Sequence, residues 1–239
     1  MPEARDRLFV ALDVDALAAA TALLDRLQGA VSGVKIGSQL FTVAGPAAVE
    51  AARKRGFRVF LDLKYHDIPN TVAGAVRAAT GLGVFMLNVH AAAGASAMRA
   101  AASAAATAAR DFEVPRPVCL AVTVLTSLDR RALMEVGVAG SLQAQALRLA
   151  ELARDAGLDG CVASPHEVSL LRLGLGPRWV IVTPGIRPAE RGDDDQVRTA
   201  TPGAALAAGA DYLVVGRPVT AAPDPRAAAE AILAGLASK

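Results

Sequence analysis

The sequence predicts a single (β/α)8 barrel spanning residues 1–239, on three observations. Short β-rich apolar runs alternate with longer Ala/Leu-rich stretches of helical period, the pattern of repeated βα units on a parallel sheet. No composition break or linker interrupts the series, and 239 residues suit one such barrel. Most polar residues flanking the apolar runs come after them, at the strand ends where barrel enzymes build their sites. The competing architecture, a doubly wound open sheet, would normally carry G-x-G-x-x-G in its first turn, and no such motif follows the first run.

Taken in order, LFVALDV (8–14) is the first strand, closing on Asp13, and 15–29 its helix. GVKIG (33–37) carries Lys35 inside the apolar run, and a helix over 44–55 stops at Gly56. RVFLDLK (58–64) ends in Asp62 and Lys64 before a helix over 70–81. VFMLNVH (84–90) ends in Asn88 and His90. The alanine-biased stretch 91–110 looks like low complexity, but alanine is the best helix former, so 94–110 reads as an outer barrel helix. VCLAVTV (118–124) leads to Thr126, and a helix over 141–156 stops at Gly157. After GCVAS (160–164), Ser164-Pro165-His166-Glu167 reads as a capping box with proline at the first position of a helix over 165–174. WVIVTP (179–184) precedes a helix over 200–209, and YLVVG (212–216) precedes the last helix, 225–237, opened by Asp224-Pro225.

With 53% hydrophobic and 20% charged residues the chain has ample material for a buried core. Its net charge of +2 arises from 25 basic and 23 acidic residues with no run of like charge, which points away from nucleic acid and membrane surfaces and toward a small-molecule ligand. Cys119 and Cys161 lie in apolar runs outside any C-x-x-C pair, so both read as core residues rather than as disulfide or zinc ligands. The N-terminal MPEARDRLFVALDVD lacks a signal-peptide apolar stretch and no run reaches a membrane span, so the cytoplasm is the expected location.

Charges that merely marked strand exits would enrich both ends alike, and Arg7, Arg58 and Asp211 do stand at strand starts. They leave unexplained Lys35 and Asp62, which lie within strands, where an unpaired charge is costly and demands a partner. Asp62 and Lys64, two apart on a strand, share a face with Cα atoms roughly 7 Å apart, so their tips can meet. Asp67 lies past the strand end and reaches the lysine only after a turn, or reaches a neighbouring subunit's site. The alternating signs favour the charged form of each group. His66 points away from Asp67, so no His-Asp dyad is implied, and a metal site from Asp62, His66 and Asp67 is opposed by the lysine among the ligands. His90 reads equally as a packing or interface residue and as a ligand. No Ser-His-Asp spacing or nucleophile elbow occurs. The loops TPGIRP (183–188) and VVGRP (214–218) suggest a phosphate site, with Gly216 permitting close approach, Arg217 supplying a forked cation, and Gly185 and Arg187 extending it; a structural turn is the alternative.

The stretches ALDVD, VKIG, FLDLKYHDIPNT, NVHA, AVTVLTS, TPGIRP, DDQVRTATP and VVGRPVT follow one another in this order. Through them the chain resembles the orotidine 5'-phosphate decarboxylase family over essentially its full length. The resemblance implies conversion of orotidine 5'-monophosphate to uridine 5'-monophosphate and carbon dioxide, the last step of de novo pyrimidine synthesis, with no metal or other cofactor. It implies Lys64 as proton donor to C6, with Lys35, Asp62 and Asp67 completing a charge network. Asp13 and Lys35 would contact the ribose, Thr126 and Gln196 the pyrimidine or the closed loop, and Arg187, Gly216 and Arg217 the phosphate; Ile68 and Pro184 join the substrate-binding set. Asp67 and Thr71 would enter the partner subunit's site, making the active unit a homodimer. The acidic stretch Ala189 to Asp195 would govern lid closure. Two alternatives stand beside this. A magnesium-dependent phosphosugar decarboxylase or aldolase of the same superfamily shares D-x-K-x-x-D but has an acidic residue on strand two, where this chain has Lys35. A non-catalytic nucleotide-binding barrel would have lost the charged residues that are present here.

Overall fold

The structure, a computed structural model, describes residues 3–187 and 199–237. Eight parallel strands close into a barrel in chain order. They are β1 (Leu8–Ala11), β2 (Gly33–Gly37), β3 (Arg58–Tyr65), β4 (Met86–His90), β5 (Val118–Val122), β6 (Gly160–Val162), β7 (Val180–Thr183) and β8 (Tyr212–Val215). Each pairs with the next, and β8 returns to β1 through Leu8–Leu213 and Phe9–Val214. The (β/α)8 expectation holds at every strand, with some ends trimmed.

The helices are α1 (Leu17–Leu27), α2 (Ser38–Ala44), α3 (Pro46–Lys54), α4 (Pro69–Gly81), α5 (Ala95–Asp111), α6 (Arg130–Glu135), α7 (Leu142–Asp155), α8 (Val168–Leu175), α9 (Pro202–Ala207), α10 (Arg217–Thr220) and α11 (Pro225–Ala237). The helix expected over 44–55 is α3, while α2 ahead of it was not expected, and Gly45 at φ 54° separates the two. The short α6 and α10 were not anticipated either. α8 begins at Val168 rather than at Pro165. Of the expected box the glutamate half forms, with Ser164 N–H donating to Glu167 Oε2 at 3.0 Å, whereas Ser164 Oγ accepts from His166 N–H at 3.2 Å rather than from Glu167 N–H. The serine bond spans two residues instead of three, so it tightens a turn ahead of the helix rather than opening the helix itself. Asp224 does cap α11, accepting from the backbone N–H groups of Arg226 and Ala227.

Side chains that alternate along the strands build two cores. Phe9, Ala11, Phe60, Met86, Leu120, Val182 and Val214 fill the barrel interior, while the opposite faces join the helices in a larger apolar layer. On α5 the buried positions are Ala97, Met98, Ala101, Ala105, Ala108 and Ala109, mostly small side chains that let it lie close against α4. Toward the N-terminal ends of the strands, Phe9, Phe85 and Tyr212 pack ring against ring with centroids 5.7–6.0 Å apart. The Arg58 guanidinium lies 4.6 Å from the Phe85 ring centroid and 5.6 Å from that of Phe9. A Cβ at Gly33 would stand 2.5 Å from the Phe9 ring, so glycine is required for this plug to close. Cys119 and Cys161 are core residues as expected; burial pushes both thiols up to about 12, and Trp179 Nε1–H donates to Cys161 Sγ at 3.2 Å. Among the described residues no helix is long and apolar enough to cross a membrane.

Candidate active site

At the C-terminal ends of the strands the barrel opens into a cavity of about 470 Å³, lined among others by Asp13, Lys35, Asp62, Lys64, Thr126, Pro184, Arg187, Gly216 and Arg217. Its charged wall is a chain of alternating signs. Lys35 Nζ lies 3.1 Å from Asp13 Oδ1 and 3.3 Å from Asp62 Oδ2, and Lys64 Nζ lies 2.8 Å from Asp62 Oδ1. The inner pair is buried, with side-chain exposures of 11% for Lys35 and 10% for Asp62, against 51% for Asp13 and 39% for Lys64. Burial pulls the Lys35 ammonium down, but the charges of Asp62 and Asp13 and their hydrogen bonds outweigh it, and its pKa is raised. Burial pushes Asp62 up, and the charges of Lys35 and Lys64 with hydrogen bonds from Lys64 and Asn88 outweigh that, holding it below the usual carboxylate range. Both inner groups are therefore ions at neutral pH. Gly37 makes room for the Lys35–Asp13 ion pair, since a Cβ there would stand 2.9 Å from Lys35 Nζ and 3.2 Å from Asp13 Oδ1.

The tips of Asp62 and Lys64 meet as the spacing suggests, but for a different reason. The β3–β4 register shifts between the pairs Leu61–Leu87 and Tyr65–Val89, so four residue steps on β3 oppose two on β4. Lys64 adopts φ 51°, the left-handed region, and its side chain returns to Asp62 across this bulge rather than along a regular strand. Asn88 occupies the gap in the ladder. Its Oδ1 accepts the Lys64 backbone N–H at 2.8 Å and its Nδ2 donates to Asp62 Oδ1 at 2.6 Å. Sequence reasoning noted Asn88 at a strand end without assigning it to the site. The usable signal is an amide two residues after the interior-facing Met86 in an otherwise apolar run.

Asp67, Ile68 and Thr71 lie apart from this wall. All three are exposed around the start of α4, and the Asp67 carboxylate accepts the Ile68 N–H at 2.6 Å. His66 stacks on His90 with ring centroids 4.9 Å apart and planes 21° apart. Burial, followed by the charges of His66 and Lys64, lowers the His90 pKa. Among the described residues no group of three or more His, Cys, Asp and Glu is placed to hold a metal ion.

In the expected phosphate region, Gly185 takes φ 77° and Arg187 N–H donates to Ala200 O at 3.0 Å, so the chain on either side of 188–198 is held together. Gly216 precedes α10, and its carbonyl accepts the N–H groups of Val219 and Thr220. Gln196 and the acidic stretch 189–195 lie outside the described residues. Gln39 on α2 also lines the cavity. It was missed because the sequence reading placed no helix there.

A family model described as Orotidine 5'-phosphate decarboxylase / HUMPS family matches residues 6–232. The chain is 57% identical to the orotidine 5'-phosphate decarboxylase of Moorella thermoacetica, covering 98% of this chain and 93% of the relative. It is 54% identical to that of Halorhodospira halophila, over 97% of this chain and 96% of the relative. A crystal structure of orotidine 5'-phosphate decarboxylase from Lactobacillus acidophilus superimposes with a TM-score of 0.85 at 36% identity, covering 98% of this chain and all of that one. With a match across nearly its whole length and a barrel of the same form, the chain belongs to the orotidine 5'-phosphate decarboxylase / HUMPS family.

Proposed function

We propose that this chain decarboxylates orotidine 5'-monophosphate to uridine 5'-monophosphate in pyrimidine synthesis without metal or other cofactor, with Lys64 protonating C6. The observation that carries the reading is the Lys64 ammonium, held 2.8 Å from the Asp62 carboxylate on the cavity wall. The bond between C6 and the carboxylate breaks, CO2 leaves, and the electron pair stays on C6 in the ring plane, where the carbonyl π-system does not delocalise it. The Lys64 N–H bond then breaks and its proton joins C6. One well-placed donor supplies about 3 to 4 kcal/mol, whereas catalysis of very slow reactions lowers barriers by more than about 20 kcal/mol. Lys64 alone is therefore insufficient. The balance is assigned to the preorganised charges of Lys35 and Asp62 and to ribose and phosphate binding that closes the site.

In this reading Asp13 and Lys35 hold the ribose, Thr126 and Gln196 the pyrimidine or the closed loop, and Arg187, Gly216 and Arg217 the phosphate, with Pro184 also lining the cavity. Asp67, Ile68 and Thr71 serve the site of a second copy, so the active unit is a homodimer; their exposure at the start of α4, away from the cavity of their own chain, supports this. The reaction's place in nucleotide synthesis puts the enzyme in the cytoplasm. The magnesium alternative gains no support from strand two, where the relevant position is Lys35 in two ion pairs. Replacing Lys64→Ala should abolish turnover while uridine 5'-monophosphate still binds in a calorimetric titration. Near-normal turnover by that variant would refute the assignment.

A further inference from the structure

We propose that Asn88 is a positioning residue for the decarboxylation, one that sets both ends of Lys64 at once; the inference rests on the reading of Lys64 as the proton donor. Asn88 is fully buried and does not line the cavity, so it acts through other groups rather than on substrate. The bulge deprives the Lys64 N–H of a regular ladder partner, and the Asn88 carbonyl oxygen supplies one at 2.8 Å. The same amide's NH2 donates at 2.6 Å to Asp62 Oδ1, the oxygen that also accepts the Lys64 ammonium at 2.8 Å. The hydrogen bonds therefore form a closed ring: Lys64 N–H to Asn88, Asn88 to Asp62, and Lys64 Nζ back to Asp62.

Within that ring, the main chain of the donor is pinned in its left-handed conformation and its ammonium is aimed by the same planar group. The orientation of the amide is dictated by its neighbours, because a flipped side chain would set NH2 against N–H and oxygen against carboxylate. Few side chains meet both demands. Aspartate keeps the acceptor but opposes a second carboxyl to Asp62, and leucine of similar size offers neither bond.

The test compares wild type, Asn88→Asp and Asn88→Leu in steady-state turnover of orotidine 5'-monophosphate across pH, with uridine 5'-monophosphate titration and thermal melting as controls. The charged groups facing position 88 are Asp62 and Lys64 on β3, with Lys35 beyond Asp62 on β2 and the His66–His90 stack beside Lys64. In the Asn88→Asp variant two carboxyls would share one proton at acidic pH, and the protonated new group would donate as the amide does. Its kcat should fall about 100-fold at mildly alkaline pH, with KM changed less than about threefold, and should recover toward wild type as the solution is acidified. Asn88→Leu should lose kcat similarly with no recovery on acidification. A purely structural role would lower the melting temperature and leave the kcat and pH profile of the folded protein as in wild type, and that result overturns the inference. If Asn88→Leu does not fold, the acid recovery of Asn88→Asp decides alone. An inactive wild type would instead refute the proposed function, so the two failures are distinguishable.

Discussion

Both ends of the barrel place ions in or near the core, and they satisfy them differently. Toward the N-terminal ends of the strands charge terminates largely on backbone. Arg172 donates to the carbonyls of Gly176, Trp179 and Gly209 and meets the Asp211 carboxylate at 2.7 Å, which in turn accepts the Ile181 N–H. Arg7 donates to the carbonyls of Ala210 and Asp211, and Asp159 accepts the Cys119 N–H while pairing with Arg116. Each of these groups ties a strand start to a neighbouring turn. Toward the C-terminal ends, Asp13, Lys35, Asp62 and Lys64 are paired with one another, braced by Asn88, and face a cavity. Charge that ends on main chain holds the barrel; charge that ends on charge beside an open cavity is held ready for a ligand.

That contrast makes mutations at the two ends separable. The largest effect should come from Asp62→Ala, which leaves the Lys35 and Lys64 ammonium groups without the carboxylate between them. It should lower kcat by about 10³-fold or more in a steady-state assay. A rate within about tenfold of wild type would mean that Asp62 is not part of the chemistry. At the opposite end, Arg172→Ala should cost about 2 to 3 kcal/mol of unfolding free energy in denaturant melts, since it strips donors from three carbonyls and a carboxylate. The kcat of the folded Arg172→Ala protein should stay at the wild-type value. If it fell while stability held, the division between the two ends would fail.

Much of this division is legible in sequence, and the missing parts have identifiable causes. The eight strands stand out because each apolar run is short, β-rich and bounded by turn residues, and the paired state of Lys35 and Asp62 follows from the cost of isolating a charge inside a strand. The bulge at Lys64 is not legible, because alternation assumes a regular ladder and the two unmatched steps on β3 appear only when β4 is beside it. Asn88 escaped for the same reason: its role is defined by the gap it fills. α2 was missed because seven residues with a single fully buried position, Leu40, give too short a window for helical period to register. The capping box illustrates a smaller failure, in which the glutamate bond forms but the serine bond closes one residue short of the position that opens a helix.

The proposed function requires that the charged wall, with Lys64 as its acid and with ribose and phosphate binding to close the site, carry the decarboxylation without a metal. The direct measurement is the loss of ultraviolet absorbance when orotidine 5'-monophosphate is mixed with purified protein stripped of metal by a chelator. Full turnover, unchanged by chelator and by added magnesium, is the expected result; activity abolished by the chelator and restored by magnesium would refute the metal-free reading.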